Sequence, residues 1–261
     1  MNHSGTVDYA LEGDVAVIAL NRPAKRNAIN EDLIAGIESA VARAGREARV
    51  GVIHGRGDHF CAGLDLAEHA ERTPFEGVLH SRKWHRIFDE IERGAIPYVV
   101  ALHGAVVGGG LELAASAQIR VADETAFFGL PEGQRGIFVG GGGSVRVARL
   151  MSAARMADMM LTGRTLSAAK AESVNLVQYV VAPGRALAEA KTLAARIARN
   201  APMSNFAVVQ ALPRIQEMSH DGGLFTESLM AAMTQTSPEA VERLRAFLEK
   251  RADRLDKPRD S

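Results

Sequence analysis

The sequence predicts an α/β fold with a helical C-terminal region. Three observations lead there. Short apolar runs alternate with segments of helical periodicity as far as about residue 183. From Gly184 onward the pattern is helical almost throughout. Clustered glycines, Gly108-Gly109-Gly110 and Gly140-Gly141-Gly142-Gly143, stand directly before two of the helical segments. The expected division is a core over residues 1–200 and a helical region over residues 201–261.

Each element has its own signal. Val15-Ala16-Val17-Ile18-Ala19-Leu20 is an unbroken apolar run of strand length, closed by Asn21-Arg22-Pro23. From Asn30 the period changes. Leu33, Ile34, Ile37 and Val41 share one helix face, Asn30 is a suitable N-cap, and Glu31 and Asp32 complement the first-turn dipole. Val50-Gly51-Val52-Ile53-His54 reads as a second strand, turned by Gly55-Arg56-Gly57-Asp58. Residues 66–73 are mixed and polar, the pattern of a loop able to move. Residues 84–92 form an amphipathic helix, and Tyr98-Val99-Val100-Ala101-Leu102 a strand after Pro97. A helix opens at Gly110. A strand near residues 119–122 precedes a short aromatic one over residues 125–128. The four glycines lead into a helix from Ser144. Ser167 caps a short helix that ends near Asn175, a residue type that tolerates the left-handed conformation. Pro202 and Pro213 punctuate the C-terminal helices, and residues 238–254 read as one helix with Pro238 in its first turn.

Composition narrows the function. Among 261 residues, Lys+Arg and Asp+Glu both number 31, so the net charge is zero. This gives no overall electrostatic case for nucleic acid or an anionic membrane as partner. Cys61 is the only cysteine, so no intrachain disulfide can form. Together with a polar start and no apolar leader, it points to a reducing compartment, and a cytoplasmic location is expected. No apolar run approaches the roughly 20 residues that span a bilayer.

Several chemical motifs fail. The pattern G-x-G-x-x-G breaks at Leu113, and Gly142-Gly143-Ser144-Val145-Arg146 ends in arginine where a nucleophile elbow needs glycine. His80 and His85 are five residues apart, a poor same-face spacing, so no metal site is expected. Cys61, between Phe60 and Ala62, reads as a small packing residue rather than a nucleophile. What remains is a pair of glutamates twenty residues apart. Glu112 follows the triple glycine, and Glu132 follows Phe127-Phe128-Gly129-Leu130-Pro131. Alone, Glu112 is an ordinary first-turn acid and Glu132 an ordinary loop acid. Converging on one pocket, they can divide the roles of general base and general acid. A backbone N–H at the glycine turn can bind developing negative charge.

Asn21-Arg22-Pro23, Phe60-Cys61-Ala62-Gly63-Leu64-Asp65-Leu66, Gly104-Ala105-Val106-Val107-Gly108-Gly109-Gly110-Leu111-Glu112, and Pro131-Glu132 with the glycine-rich turn after it resemble the crotonase (enoyl-CoA hydratase/isomerase) superfamily. The resemblance runs in order over essentially the whole chain. Residues 59–66, 104–113 and 130–142 further resemble the subgroup that hydrates methylthioacryloyl-CoA.

That resemblance implies a spiral of ββα units, a helical C-terminal trimerisation region, and a homotrimer or a hexamer of two trimers. It implies an oxyanion hole from the N–H groups of Leu64 and Gly109. Glu112 would be the base that activates water. Glu132, desolvated beside Phe127, Phe128 and Phe138, would be protonated and deliver a proton to C2, although the two roles can exchange. The Gly140 N–H would orient the water. Backbone at Ala62 and Leu66 would recognise the adenine of coenzyme A, with Lys25 and Arg26 along the nucleotide path. Lys250 would meet a phosphate, from its own or a neighbouring subunit, or else lie on a solvated helix face. Trp84, Phe88 and Phe138 would line the acyl pocket or belong to the core, and Asp65 would be structural. The implied activity is addition of water to a short-chain 2-enoyl-CoA, with coenzyme A as part of the substrate and no other cofactor. Isomerisation, hydrolysis or decarboxylation of an acyl-CoA are alternatives within the family. A non-catalytic CoA- or RNA-binding scaffold is the alternative of another class.

Overall fold

The structure is a computed structural model that describes residues 2–66 and 72–251. Residues 67–71 of the expected loop, and the last residues of the expected final helix, lie outside it. Strands β1 (Asn2–Ser4), β2 (Val7–Glu12), β3 (Val15–Leu20), β4 (Val50–Gly55), β5 (Tyr98–Leu102), β6 (Ala105–Val107), β7 (Ile119–Asp123), β8 (Phe127–Gly129), β9 (Leu166–Ser167) and β10 (Tyr179–Val181) build two sheets. The larger has the order β1-β2-β3-β4-β5-β7-β10, and the smaller β6-β8-β9. The first two pairings of the large sheet are antiparallel, and from β3 to β10 all are parallel. Helices α1 (Glu31–Glu47), α2 (Pro74–Arg93), α3 (Gly109–Ser116), α4 (Gly143–Met151), α5 (Ala153–Thr162), α6 (Ala168–Ser173) and α7 (Ala186–Ala198) complete this part.

The strand sequences explain the layering. Every residue of β3 is buried, as befits a strand covered on both faces. Its alternate side chains go to opposite sides. Val15 and Val17 join Val50, Val52, Val99 and Val121 against Ala190, Leu193 and Ala194 of α7. Ala16, Ile18 and Leu20 face the other way, into the core that contains Ile34 and Ile37 of α1 and Phe88 of α2. Twice in succession a strand of the large sheet is followed by a strand of the small sheet and then a helix: β5-β6-α3 and β7-β8-α4. This is the ββα spiral that the sequence led us to expect. It matters here because β6 and β8 run parallel, side by side. They deliver α3 and the Glu132 turn to the same place.

The chain forms two compact units, Met1–Arg199 and Asn200–Ser261. The second holds α8 (Pro202–Ile215), α9 (His220–Gln235) and α10 (Pro238–Leu248). Among the described residues no helix is long and apolar enough to cross a membrane.

Several boundaries differ from expectation. The helix α2 begins at Pro74, ten residues before the amphipathic stretch. Thr73 and Glu76 form a reciprocal capping box with Pro74 at the first position. The early turns do carry apolar residues at helical spacing, Phe75, Val78 and Leu79, but all three are exposed. Helices α3 and α4 each start one residue early, at Gly109 and Gly143. Pro213 lies inside α8 rather than ending it. The last helix stops at Leu248, and Lys250 beyond it has a left-handed φ of 59°. Strand β2 alternates, with Val7 and Tyr9 inward, and was not among the expected strands.

Candidate active site

The site is assembled from three glycine-rich turns and two buried glutamates. The first turn joins β6 to α3. Gly108 has φ 53°, and a Cβ there would stand 2.8 Å from Glu132 Oε1. A Cβ on Gly109 would meet Trp84 Cζ3 at 2.8 Å, and one on Gly110 would meet the Cys61 carbonyl at 2.4 Å. The triple glycine is therefore a packing requirement on three sides at once. As the first residue of α3, Gly109 has an N–H with no partner inside the helix, at its positive end.

The second turn is Cys61 to Leu66. Cys61 exchanges backbone hydrogen bonds with β6, its N–H going to the Ala105 carbonyl and its carbonyl accepting from Val107. Ile29 N–H donates to the Gly63 carbonyl, and Asp65 N–H to the Ile29 carbonyl. The intervening Leu64 N–H is left out of this pairing and has no acceptor among the described residues, and Leu64 lines the cavity described below. Gly63 holds the two turns together. With φ 92°, it presses on the start of α3, where an added Cβ would lie 2.8 Å from the Val107 carbonyl and 3.3 Å from Gly109 N. Gly63→Ala should therefore spread the Leu64 and Gly109 donors apart and cost about 10²-fold in turnover, read from steady-state kinetics. Near-normal turnover would show that these donors do not act together.

Glu112 is 3% exposed. Its Oε1 accepts from the N–H groups of Gly141 and Gly143, both at 2.8 Å. Burial pushes its carboxyl upward, while the amides of Gly143, Gly141 and Gly140 and the charge of Arg146 work in the opposite direction. Glu132 is 6% exposed, and its Oε2 has no hydrogen-bond partner. Burial first, and the charge of Glu112 second, push it up to about 7, against its own backbone N–H and Arg135. Two carboxyls in such different surroundings share one proton most favourably with the proton on Glu132.

Both glutamates face a cavity of about 450 Å³, lined also by Gly63, Leu64, Trp84, Gly109, Phe138 and Gly140. Of the aromatic residues named from sequence, Trp84 and the exposed Phe138 border this cavity. Phe88 is fully buried behind Trp84, their ring centroids 5.7 Å apart, and does not line it. Phe128 belongs to the core, and Phe127 is exposed and away from the lining. A neighbouring groove is bordered by Lys25, Arg26, Ala62, Leu64, Leu66 and Arg135. It shares Leu64, Leu66 and Arg135 with the cavity, so the two adjoin. Asp65 is buried and pairs with Arg22 at 3.1 Å. Lys250 stands in the second unit, exposed. Cys61 is fully buried, its thiol donating to the Asn27 carbonyl, and burial pushes it up to about 12, as for a packing residue.

The sequence reading missed the groups that hold Glu112. Beside Gly140, whose N–H was expected to orient water, Gly141 and Gly143 donate to the carboxylate itself. The four consecutive glycines were the available signal. Arg146 and Ser81, which grip the same turn, left none.

With this geometry established, comparison with known proteins identifies the family. The enoyl-CoA hydratase/isomerase family profile matches residues 10–257. A crystal structure from Rhodopseudomonas palustris, provisionally named an enoyl-CoA hydratase, is 53% identical with a TM-score of 0.91, covering 94% of this chain and 95% of its own. The short-chain-enoyl-CoA hydratase of Clostridium acetobutylicum is 32% identical over 92% of this chain and 93% of its own. The 2,3-dehydroadipyl-CoA hydratase of Escherichia coli is 33% identical over 91% and 93%. The chain belongs to the enoyl-CoA hydratase/isomerase family.

Proposed function

We propose that the protein is an enoyl-CoA hydratase that adds water across the C2=C3 bond of a short-chain 2-enoyl-CoA. The observation that carries this reading is the unequal pair of buried carboxyls on one cavity. Glu112 is fixed by backbone donors, whereas Glu132 is raised to about 7 and has a bare Oε2. An isomerase moves a proton with one carboxylate and has no need of the second.

The chemistry follows from the charges. The thioester oxygen sits between the Leu64 and Gly109 N–H groups. As water attacks C3, the π electrons move toward C2 and the thioester oxygen, and the two donors stabilise the enolate. Glu112 takes the proton that the water sheds, and Glu132 gives its proton to C2. A water entering for the next turnover returns the proton from Glu112 to Glu132. Water addition is thereby balanced with no other cofactor.

The groove with Lys25 and Arg26 supports a nucleotide path leading away from the thioester, and Lys250 would add a phosphate contact. The cavity volume suits a short acyl group. Methylthioacryloyl-CoA is the finer proposal, supported by the resemblance of residues 130–142. The test sets crotonyl-CoA and methylthioacryloyl-CoA side by side, following the enoyl-thioester absorbance and free thiol. Thiol release in excess from the second substrate alone supports the finer reading, and its absence rejects it.

A trimer or a hexamer is part of this proposal. Helix α9 buries only Gly223, while Leu224, Phe225 and Leu229 are exposed, and α10 buries nothing within the chain. Such apolar faces need covering. Light scattering should give three or six chains per particle; a monomer at micromolar concentration would reject assembly. A cytoplasmic location, supported by the single reduced and buried Cys61, is checked by cell fractionation.

A further inference from the structure

We propose that Ser81 is a positioning residue for Glu112, acting through the peptide unit between Gly140 and Gly141. In a trans peptide the carbonyl oxygen and the amide hydrogen point in opposite directions. Ser81 Oγ donates to the Gly140 carbonyl at 2.6 Å, and the Gly141 N–H of that same unit donates to Glu112 Oε1 at 2.8 Å. The hydroxyl and the carboxylate thus hold opposite ends of one peptide plane.

Among the described residues only His85 shares that carbonyl, through a hydrogen bond to the Gly140 backbone that favours the protonated imidazole. The Gly142–Gly143 unit, which also serves Glu112, is held at its carbonyl by the Arg146 N–H at 3.0 Å as α4 begins. The Gly141 carbonyl is held by the Arg146 guanidinium at 3.0 Å. In a run of four glycines no Cβ restricts the backbone, so rotation of the Gly140–Gly141 unit is sterically open. Rotated, it would aim the Gly140 carbonyl at the Glu112 carboxylate and repel its anionic form. Donation by Ser81 also polarises the unit and strengthens the Gly141 donor. With its proton committed to Gly140, Ser81 accepts from His85, whose Nε2 lies 3.3 Å away.

The other charged or titratable groups near Glu112 are Glu132 and Arg135 from the turn after β8, Arg72 from just before α2, His80 and His85 from α2, and Arg146 from α4. Arg146 is itself neutralised by Asp89 and Glu92. Of these only His85 also bonds the Gly140 backbone, so removing the Ser81 hydroxyl takes away its bonds to Gly140 and His85 and leaves the imidazole on the carbonyl.

The catalytic part of this inference rests on the hydratase reading, and the test separates the two. Glutamate labelled with ¹³C at the carboxyl reports the Glu112 titration directly, assigned with Glu112→Gln. Ser81→Ala should raise the Glu112 pKa by about one unit, the equivalent of about a tenfold change. It should lower kcat about tenfold with KM little changed, and move the acid limb of the pH–rate profile upward. The shape-matched pair Ser81→Thr and Ser81→Val isolates the hydroxyl from packing. Thr should restore the wild-type pKa and kcat, and Val should not. An unchanged Glu112 pKa in Ser81→Ala, or Thr and Val behaving alike, would overturn the proposal. A pKa shift in a protein that hydrates no enoyl-CoA would uphold the positioning role and reject the hydratase reading.

Discussion

Glu132→Gln should lower turnover by about 10²–10⁴-fold, the usual contribution of a general acid, while leaving assembly and CoA binding intact. The amide keeps the shape and removes the transferable proton. The same substitution should change stability with pH in a defined direction. Burial raises the Glu132 carboxyl to about 7 from its ordinary value of 4.5. The folded state therefore holds the proton more tightly than the unfolded chain does. Below pH 4.5 both states are protonated and the carboxyl carries no electrostatic penalty. Between pH 4.5 and 7 ionisation progressively penalises the folded state, and above 7 the cost is complete, at most about 3 kcal/mol. The stability of Glu132→Gln relative to wild type should accordingly rise across that window and stay level on either side. Urea unfolding at pH 5, 6, 7 and 8 measures this. A difference independent of pH would mean that Glu132 is not desolvated. Activity has a matching signature, because kcat/KM of the wild type should fall above pH 7 as the acid is lost.

Glu112→Gln and Glu112→Ala should both fail to activate water, with losses of about 10²–10⁴-fold, yet differ in stability. Glutamine retains an oxygen where Oε1 accepts from Gly141 and Gly143. Alanine leaves both buried N–H groups without a partner, at about 1–3 kcal/mol for each. Thermal unfolding should therefore place Glu112→Gln near wild type and Glu112→Ala well below it. Equal stability of the two variants would show that the glycine amides do not depend on the carboxylate.

The parts of the fold that were legible in sequence are those governed by local chemistry. Asn30 does cap α1, its side chain accepting from Leu33 N, and the apolar period of Leu33, Ile34, Ile37 and Val41 maps onto buried positions. Ser167 likewise caps α6 and Asn175 takes φ 66°. The start of α2 is encoded just as locally, in the capping box of Thr73 and Glu76 around Pro74 and in the spacing of Phe75, Val78 and Leu79, although the expected helix began only at Trp84. Phe88 shows the limit of the approach. Its helical spacing from Trp84 is the same whether it borders a cavity or the core, and only packing against the sheet decides. The grip of Ser81 and Arg146 on the glycine turn is of the same kind. Ser81 and Gly140 are 59 residues apart, and neither sequence neighbourhood encodes their contact.

The most direct measurement is turnover of crotonyl-CoA by the purified wild-type protein, with the product identified by mass spectrometry. The account predicts saturable loss of the enoyl-thioester absorbance, a product heavier by one water, and competition by free CoA. Binding of CoA by the folded protein with no hydrated product would contradict it.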